Sequence, residues 1–322
     1  MENTGSKKMW ASLIHLGGNM WGRPGMEYTR VSTGDLTACE YHDTLQCNKE
    51  IWRKITDFMP QCGINTLLID MGEGVKLDSH PELAIEGSWE KSEFIKELDR
   101  LRSIGLTPLP KFNFSCTHNG WMGEYAFMVG TREYEKMCVD VIKETIEIFG
   151  KPELFHLGLE EEVMEYQRCY PVWTVRSPEK LTRDATMLFN ACREEGVRPW
   201  MWVDPKTVEG YGGPDAFKQN IPRDVLMSNW WYRWLIEGFP GVRLYRDLAE
   251  WGYEQVPTSS TYENFKNEHH TMIYCKEYLE NNGLKGYLTA SWLPTIPDMY
   301  YGLMHDAYLF GQAKKAIYPE VK

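Results

Sequence analysis

Three adjacent carboxylates, Glu160, Glu161 and Glu162, close the run LFHLGLEEE, and a strand that ends in acids is a place for proton-transfer chemistry. In an extended segment Leu154, His156, Gly158 and Glu160 share one side, while Phe155, Leu157 and Leu159 share the apolar other. Glu160 then points away from the apolar layer, and Glu161 follows at the mouth of the loop. Two carboxylates so placed are the parts from which general acid/base catalysis on a sugar or similar substrate is built. A plainer alternative is that the acids open a helix, EEEVMEYQR, and complement its macrodipole. That alternative leaves His156 and Gly158 beneath them without a use.

Positioning such a pair takes a scaffold, and the chain repeats one. Eight short apolar segments can be marked: SLIHLGGNMW, INTLLIDMG, LTPLPKFNF, LFHLGLEEE, RPWMWVDP, DVLMSNWW, QVPTSST and GYLTASWLP. Helical patterns lie between them. Phe94, Ile95, Leu98, Leu101 and Ile104 recur at helical spacing before Gly105, and Tyr134, Met137, Cys138, Val141, Ile142 and Ile146 do so before Gly150. Ser177 and Pro178 mark a helix start that runs to Gly196, and further helices are expected over 49–61, 242–251, 262–280 and 297–314. Strand then helix, eight times in 322 residues, predicts a single-domain (β/α)8 barrel, a TIM barrel spanning 1–322. A doubly wound open sheet is the runner-up, disfavoured because GGNMWGRPG lacks the GxGxxG spacing. Long loops at about 22–47 and 71–91 would stand on the C-terminal face, where barrels build their sites.

The ends of the eight segments carry reactive side chains together. They supply His15, Asn19 and Trp21; Asp70 and Glu73; Lys111, Asn113, His118 and Trp121; Glu160 and Glu161; Trp202 and Asp204; Asn229, Trp230 and Trp231; Ser259, Ser260 and Tyr262; and Ser291 and Trp292. Carboxylates, amides and histidine on a floor walled by indoles fit a carbohydrate, whose CH faces stack on aromatics while its hydroxyls need fixed donors and acceptors. Each residue also has a dull explanation. Asp70 and Lys111 could be an interior ion pair, His156 a satisfied interior histidine, and Asp204, before Pro205, a turn-forming aspartate.

Other chemistries fare worse. No HxH ends the first strand, no HExxH occurs, and the adjacent His269 and His270 cannot converge on one ion from a helix, so no metal or other cofactor is expected. Lys111 raises a Schiff-base aldolase, but nearby acids would hold its ammonium charged. A net charge of −11 argues against nucleic acid, and no apolar run reaches the roughly 20 residues that span a bilayer. MENTGSKKMW has no signal-peptide core, so the chain as written reads as cytoplasmic, or as secreted or periplasmic if a leader was removed. The eight scattered cysteines form no framework. Tyr300, Tyr301 and Phe310 leave homo-oligomerisation open.

FHLGLEEE resembles the fourth-strand motif of family 20 glycoside hydrolases, hexosaminidase-like (β/α)8 barrels in which His-x-Gly-Gly-Asp-Glu ends the strand. The resemblance implies that Glu161 is the general acid/base and that Glu160 stands where an aspartate orients a substrate's 2-acetamido group. Trp202, Trp230 and Trp292 are similar to the tryptophans that wall the sugar subsite there. This chain departs from the pattern in having Leu159–Glu160 in place of Gly-Asp, and as written it is expected to be a barrel without the family's usual N-terminal domain. The expectation is an exo-acting glycoside hydrolase on a carbohydrate substrate. Its catalytic residues would be Glu161, Glu160 and Asp204, and its binding residues His15, Asn19, Asp70, Lys111, Asn113, His118, Trp121, Trp202, Trp230, Trp231 and Trp292. A non-catalytic carbohydrate-binding barrel and the Lys111 aldolase are the alternatives.

Overall fold

The structure, a computed structural model, describes residues 8–20, 22, 41–167 and 172–320. Trp21, Cys39, Cys169 and most of the 22–47 loop lie outside the described residues. Eight parallel strands form the centre: β1 (Met9–His15), β2 (Thr66–Asp70), β3 (Thr107–Lys111), β4 (Leu154–His156), β5 (Arg198–Val203), β6 (Leu226–Asn229), β7 (Thr258–Ser259) and β8 (Gly286–Ala290). Their order is β6-β5-β4-β3-β2-β1-β8-β7, and single bridges from Met227 to Gln255 and from Trp230 to Thr258 join the two ends. The barrel expected from the sequence is the one observed, and the open sheet is excluded.

Alternation along the strands sorts the core into two layers. Leu13, Leu68, Leu109, Leu154, Trp200 and Leu288 fill the barrel interior, whereas Ile14, Leu67, Ile69, Phe155 and Met201 face the helices. Those helices are α1 (Lys49–Phe58), α2 (Lys91–Ser103), α3 (Arg132–Ile148), α4 (Pro178–Glu194), α5 (Pro205–Gly210), α6 (Pro214–Asn220), α7 (Pro240–Glu250), α8 (Asn267–Leu279) and α9 (Tyr300–Ile317). Ser177 caps α4 as expected, its hydroxyl accepting from Lys180 N.

Several boundaries differ from expectation for local reasons. α1 stops at Phe58 because Pro60 removes an N–H from the ladder, and the segment tightens into a 3-10 turn over Met59–Cys62. The short α5 and α6 follow β5 where no helix was expected, although Asp204-Pro205 and Gly213-Pro214 are cap-plus-proline starts. No α-helix opens at Glu160. Among the described residues the chain beyond it, as far as 167, forms a 3-10 turn over Met164–Gln167 and no α-helix begins at the carboxylates for them to cap.

Candidate active site

Strand register assembles the floor of the mouth. His15 pairs with Asp70, Asp70 with Lys111, Lys111 with His156, and His156 with Trp200. These five residues, from β1 to β5, therefore stand in one row across the barrel. Lys111 Nζ lies 2.6 Å from Asp70 Oδ2, and His15 Nδ1 lies 3.3 Å from the same oxygen. Burial alone would raise the Asp70 pKa, but the Lys111 charge and the His15 contact overcome it and hold the carboxyl down at about 2. His156 is completely buried between Trp200 and Trp202, with ring centroids 4.9 and 4.4 Å away. Its Nδ1 accepts from Gly158 N at 3.1 Å, and burial followed by the Lys111 charge keeps the ring neutral. His156 is thus an interior histidine below the mouth.

Above this row the backbone of β4 leaves the extended conformation. Gly158, Leu159 and Glu161 have φ of 69°, 68° and 54°. Left-handed conformations at non-glycine residues cost on the order of 1–3 kcal/mol each and persist only where the surroundings impose them. Gly158 is required twice over: besides its φ, a Cβ there would lie 2.2 Å from Asn113 Oδ1. The amide of Asn113 fills that space. Its Nδ2 donates to Glu160 Oε1 at 2.8 Å, and its Oδ1 accepts from Ser115 N at 3.1 Å.

The three carboxylates part company here. Glu160 is buried, and desolvation followed by the neighbouring Glu161 pushes its pKa well up. Glu161 reaches further out, its side chain 15% exposed, with Oε2 at 3.5 Å from His118 Nε2. The other ring nitrogen of His118 faces the hydroxyls of Ser115 and Thr117 at 3.0 and 2.8 Å, and burial lowers its pKa to about 3, so it meets Glu161 as a neutral ring. Glu162 turns the opposite way into a buried ion pair with Arg176, and it accepts from Cys116 N at 2.7 Å.

Indoles form part of the surround. Trp202 and Trp292 have ring centroids 5.9 Å apart, and Trp292 also lies 6.0 Å from His15. Trp292 adopts a left-handed φ of 56° and donates from Nε1 to the Tyr232 hydroxyl at 3.0 Å. Trp230 stacks on Tyr232 at 5.2 Å. Tyr232 is close enough to Glu160 that, after burial, this carboxylate is the main cause pushing its phenol pKa up. Tyr232 and Arg176 are site residues that sequence reasoning missed.

Other expected residues do not join this cluster. Trp121 packs against Phe112 and Phe114 in the outer layer and donates to Asn113 O at 2.9 Å, bracing the backbone behind Asn113. Trp231 stacks on Phe239 and donates to Trp234 O. The Asn19 side chain is engaged by the backbone of His42 in both directions, at 2.8 and 2.9 Å. Asp204 caps α5, accepting from Thr207 N at 2.8 Å and from the Thr207 hydroxyl, while burial pushes its pKa up and its charge is felt by Glu160. Among the described residues, no group of three or more His, Cys, Asp or Glu is placed to hold a metal ion, and no helix is long and apolar enough to cross a membrane.

Fold and site together define a parallel (β/α)8 barrel with paired carboxylates and indoles at the C-terminal mouth. Solved structures of family 20 β-hexosaminidases share this barrel. The pneumococcal virulence factor StrH, studied for N-glycan recognition and hydrolysis, aligns with TM-score 0.62 and 13% identity over 96% of this chain and 85% of its own. The β-N-acetylhexosaminidase of Bacteroides fragilis aligns with TM-score 0.60 and 13% identity over 94% of this chain and 65% of its own. A mutant β-hexosaminidase of Streptomyces plicatus, complexed with its product GlcNAc, aligns with TM-score 0.62 and 11% identity over 98% of this chain and 69% of its own. At such identities the likeness is one of fold. No family model matches the sequence, and no curated protein matches it.

Proposed function

We propose that the protein is a glycoside hydrolase, exo-acting on a terminal sugar residue, with Glu161 as general acid/base and Glu160 as the orienting or nucleophilic carboxylate. The observation that carries this is the division within the β4 pair: Glu160 is sunk and held by Asn113, while Glu161 reaches the mouth beside His118. Likeness in fold to exo-acting hexosaminidases supports it, as do the indoles of Trp202 and Trp292.

The proton follows from the same arrangement. Burial favours the neutral form of Glu160. A substrate N–H or O–H donating to Glu160 favours its anion, and Glu161 then holds the pair's proton at the glycosidic oxygen. Glu161 protonates the departing oxygen as Glu160, or a substrate group that Glu160 orients, bonds to the anomeric carbon, and the Glu161 anion next deprotonates the water that displaces that new bond. Asp70 and Lys111 support the floor as a neutralised pair, and Asn113 and His118 position the two carboxylates.

One observation favours a second assignment, with the roles exchanged: burial that keeps a proton on Glu160 would suit a general acid there. Aryl glycosides with good and poor leaving groups decide between them. The variant whose loss grows with leaving-group pKa, Glu161→Gln or Glu160→Gln, identifies the acid. Saturable binding of sugars without aglycone release at any pH would instead make the protein a carbohydrate-binding barrel.

A further inference from the structure

We propose that Arg176 is a positioning residue for Glu161, acting through Glu162 to hold the left-handed backbone that presents the acid; this rests on the glycosidase reading above. The chain at Glu161 has φ of 54°, and nothing in its own sequence favours that conformation. Its next residue is fixed on several sides. Arg176 approaches Glu162 with two nitrogens, NH2 on Oε1 and Nε on Oε2 at 3.3 Å, while Cys116 N donates to Oε1 at 2.7 Å. The guanidinium is anchored in turn, at 3.4 Å from Asp184 Oδ2 on α4 and at 3.3 Å from Phe114 O beyond β3.

The side chains of Glu162, Arg176 and Asp184 are 6%, 2% and 2% exposed, so the clasp is buried. A planar fork reading a carboxylate with two N–H groups fixes direction as well as distance, which an ammonium cannot do. The clasp ties the β4 segment to the loop after β3 and to α4. With Glu162 pinned outward, Glu161 is left facing the mouth, beside His118 from that same loop after β3. Displacement of an acid by about 1 Å is enough to cost on the order of 10²-fold in rate.

The test uses the full chain with Arg176→Lys, which keeps the charge and loses the fork, and Glu162→Gln, which weakens the pair with little change of shape. Aryl glycosides spanning leaving-group pKa are the probes. We expect kcat to fall about 10-fold or more with poor leaving groups and less than about 2-fold with a dinitrophenyl group that needs no proton, with KM nearly unchanged. Equal losses across leaving groups, or no loss, would overturn the proposal, because a merely structural residue affects all substrates alike. If the wild-type protein cleaves no glycoside, the glycosidase reading fails by itself. The crystal structure of Arg176→Lys then decides the clasp: movement of Glu161 out of the left-handed region supports it, and an unchanged φ refutes it.

Discussion

Asn113 Nδ2 donates to Glu160 Oε1 across 2.8 Å in a space that exists only because position 158 has no side chain. A donor to the ionised form favours that form, so Asn113 moderates the upward push that burial gives Glu160. Removing it with Asn113→Ala raises the Glu160 pKa further. If the reaction needs the Glu160 anion, the rising limb of kcat/KM against pH moves to higher pH, and the rate at neutral pH drops by roughly 10-fold or more. A pH–rate profile with an unmoved limb would show that Glu160 does not titrate in catalysis.

Lys111 and Asp70 are a buried pair, 0% and 3% exposed. Lys111→Met strands an anion in the barrel floor and should destabilise the protein by about 3–5 kcal/mol, as measured by urea unfolding at neutral pH. The double change with Asp70→Asn should cost less than the two single changes added together. The Asp70 pKa is lowered in the fold, so the pair's stabilisation is present above about 4 and fades as pH falls through about 2. Lys111 Nζ is engaged by the Asp70 carboxylate at 2.6 Å, and borohydride with carbonyl compounds should trap no adduct on it.

Glu73 behaves in the opposite sense. Its carboxylate accepts from Gly18 N at 2.7 Å and Asn19 N at 3.1 Å, yet burial outweighs these bonds and pushes its pKa up to about 7. A raised carboxyl pKa means stability that is full below about 4.5 and is lost as pH rises through about 7. Melting temperature measured from pH 5 to 8 should therefore decline, and Glu73→Gln should flatten part of that decline. An identical slope in the variant would exclude Glu73 as a source.

Behind β8, one hydroxyl faces two acids. Thr289 Oγ1 lies 2.7 Å from Glu268 Oε1 and 2.8 Å from Asp306 Oδ2, but it has a single proton to give. A proton kept on one carboxyl would let it donate to the hydroxyl, and burial pushes the pKa of both groups up in that direction. Alkaline pH removes that proton and sets two buried anions against each other. Asp306→Asn should make thermal stability less sensitive to rising pH above neutrality, and a steeper loss in the variant would refute the shared proton.

The barrel was legible because each strand announces itself as a short apolar segment, and helices by apolar residues at helical spacing or by a cap such as Ser177-Pro178. The carboxylates were legible because strand ends form the mouth of any such barrel. Tryptophans were sorted less well. Neighbours on a strand face opposite sides, so Trp230 and Trp231 could not both line the interior; Trp230 packs with the inner layer and Trp231 with the outer. Trp121 lies in a 3-10 segment over Gly120–Phe127 beyond β3, where a period of two no longer applies. Left-handed backbone at Leu159, Glu161 and Trp292 has no signature in residues that disfavour it, and the Arg176–Glu162 clasp joins positions whose meeting depends on the loop between them.

The role of Glu161 is tested most directly by kcat/KM of wild type and Glu161→Gln on matched aryl glycosides with poor and activated leaving groups. We expect a loss of about 10²-fold or more with the poor leaving group, little loss with the activated one, and unchanged substrate binding. Full activity of Glu161→Gln on the poor leaving group would contradict the assignment of Glu161 as the acid.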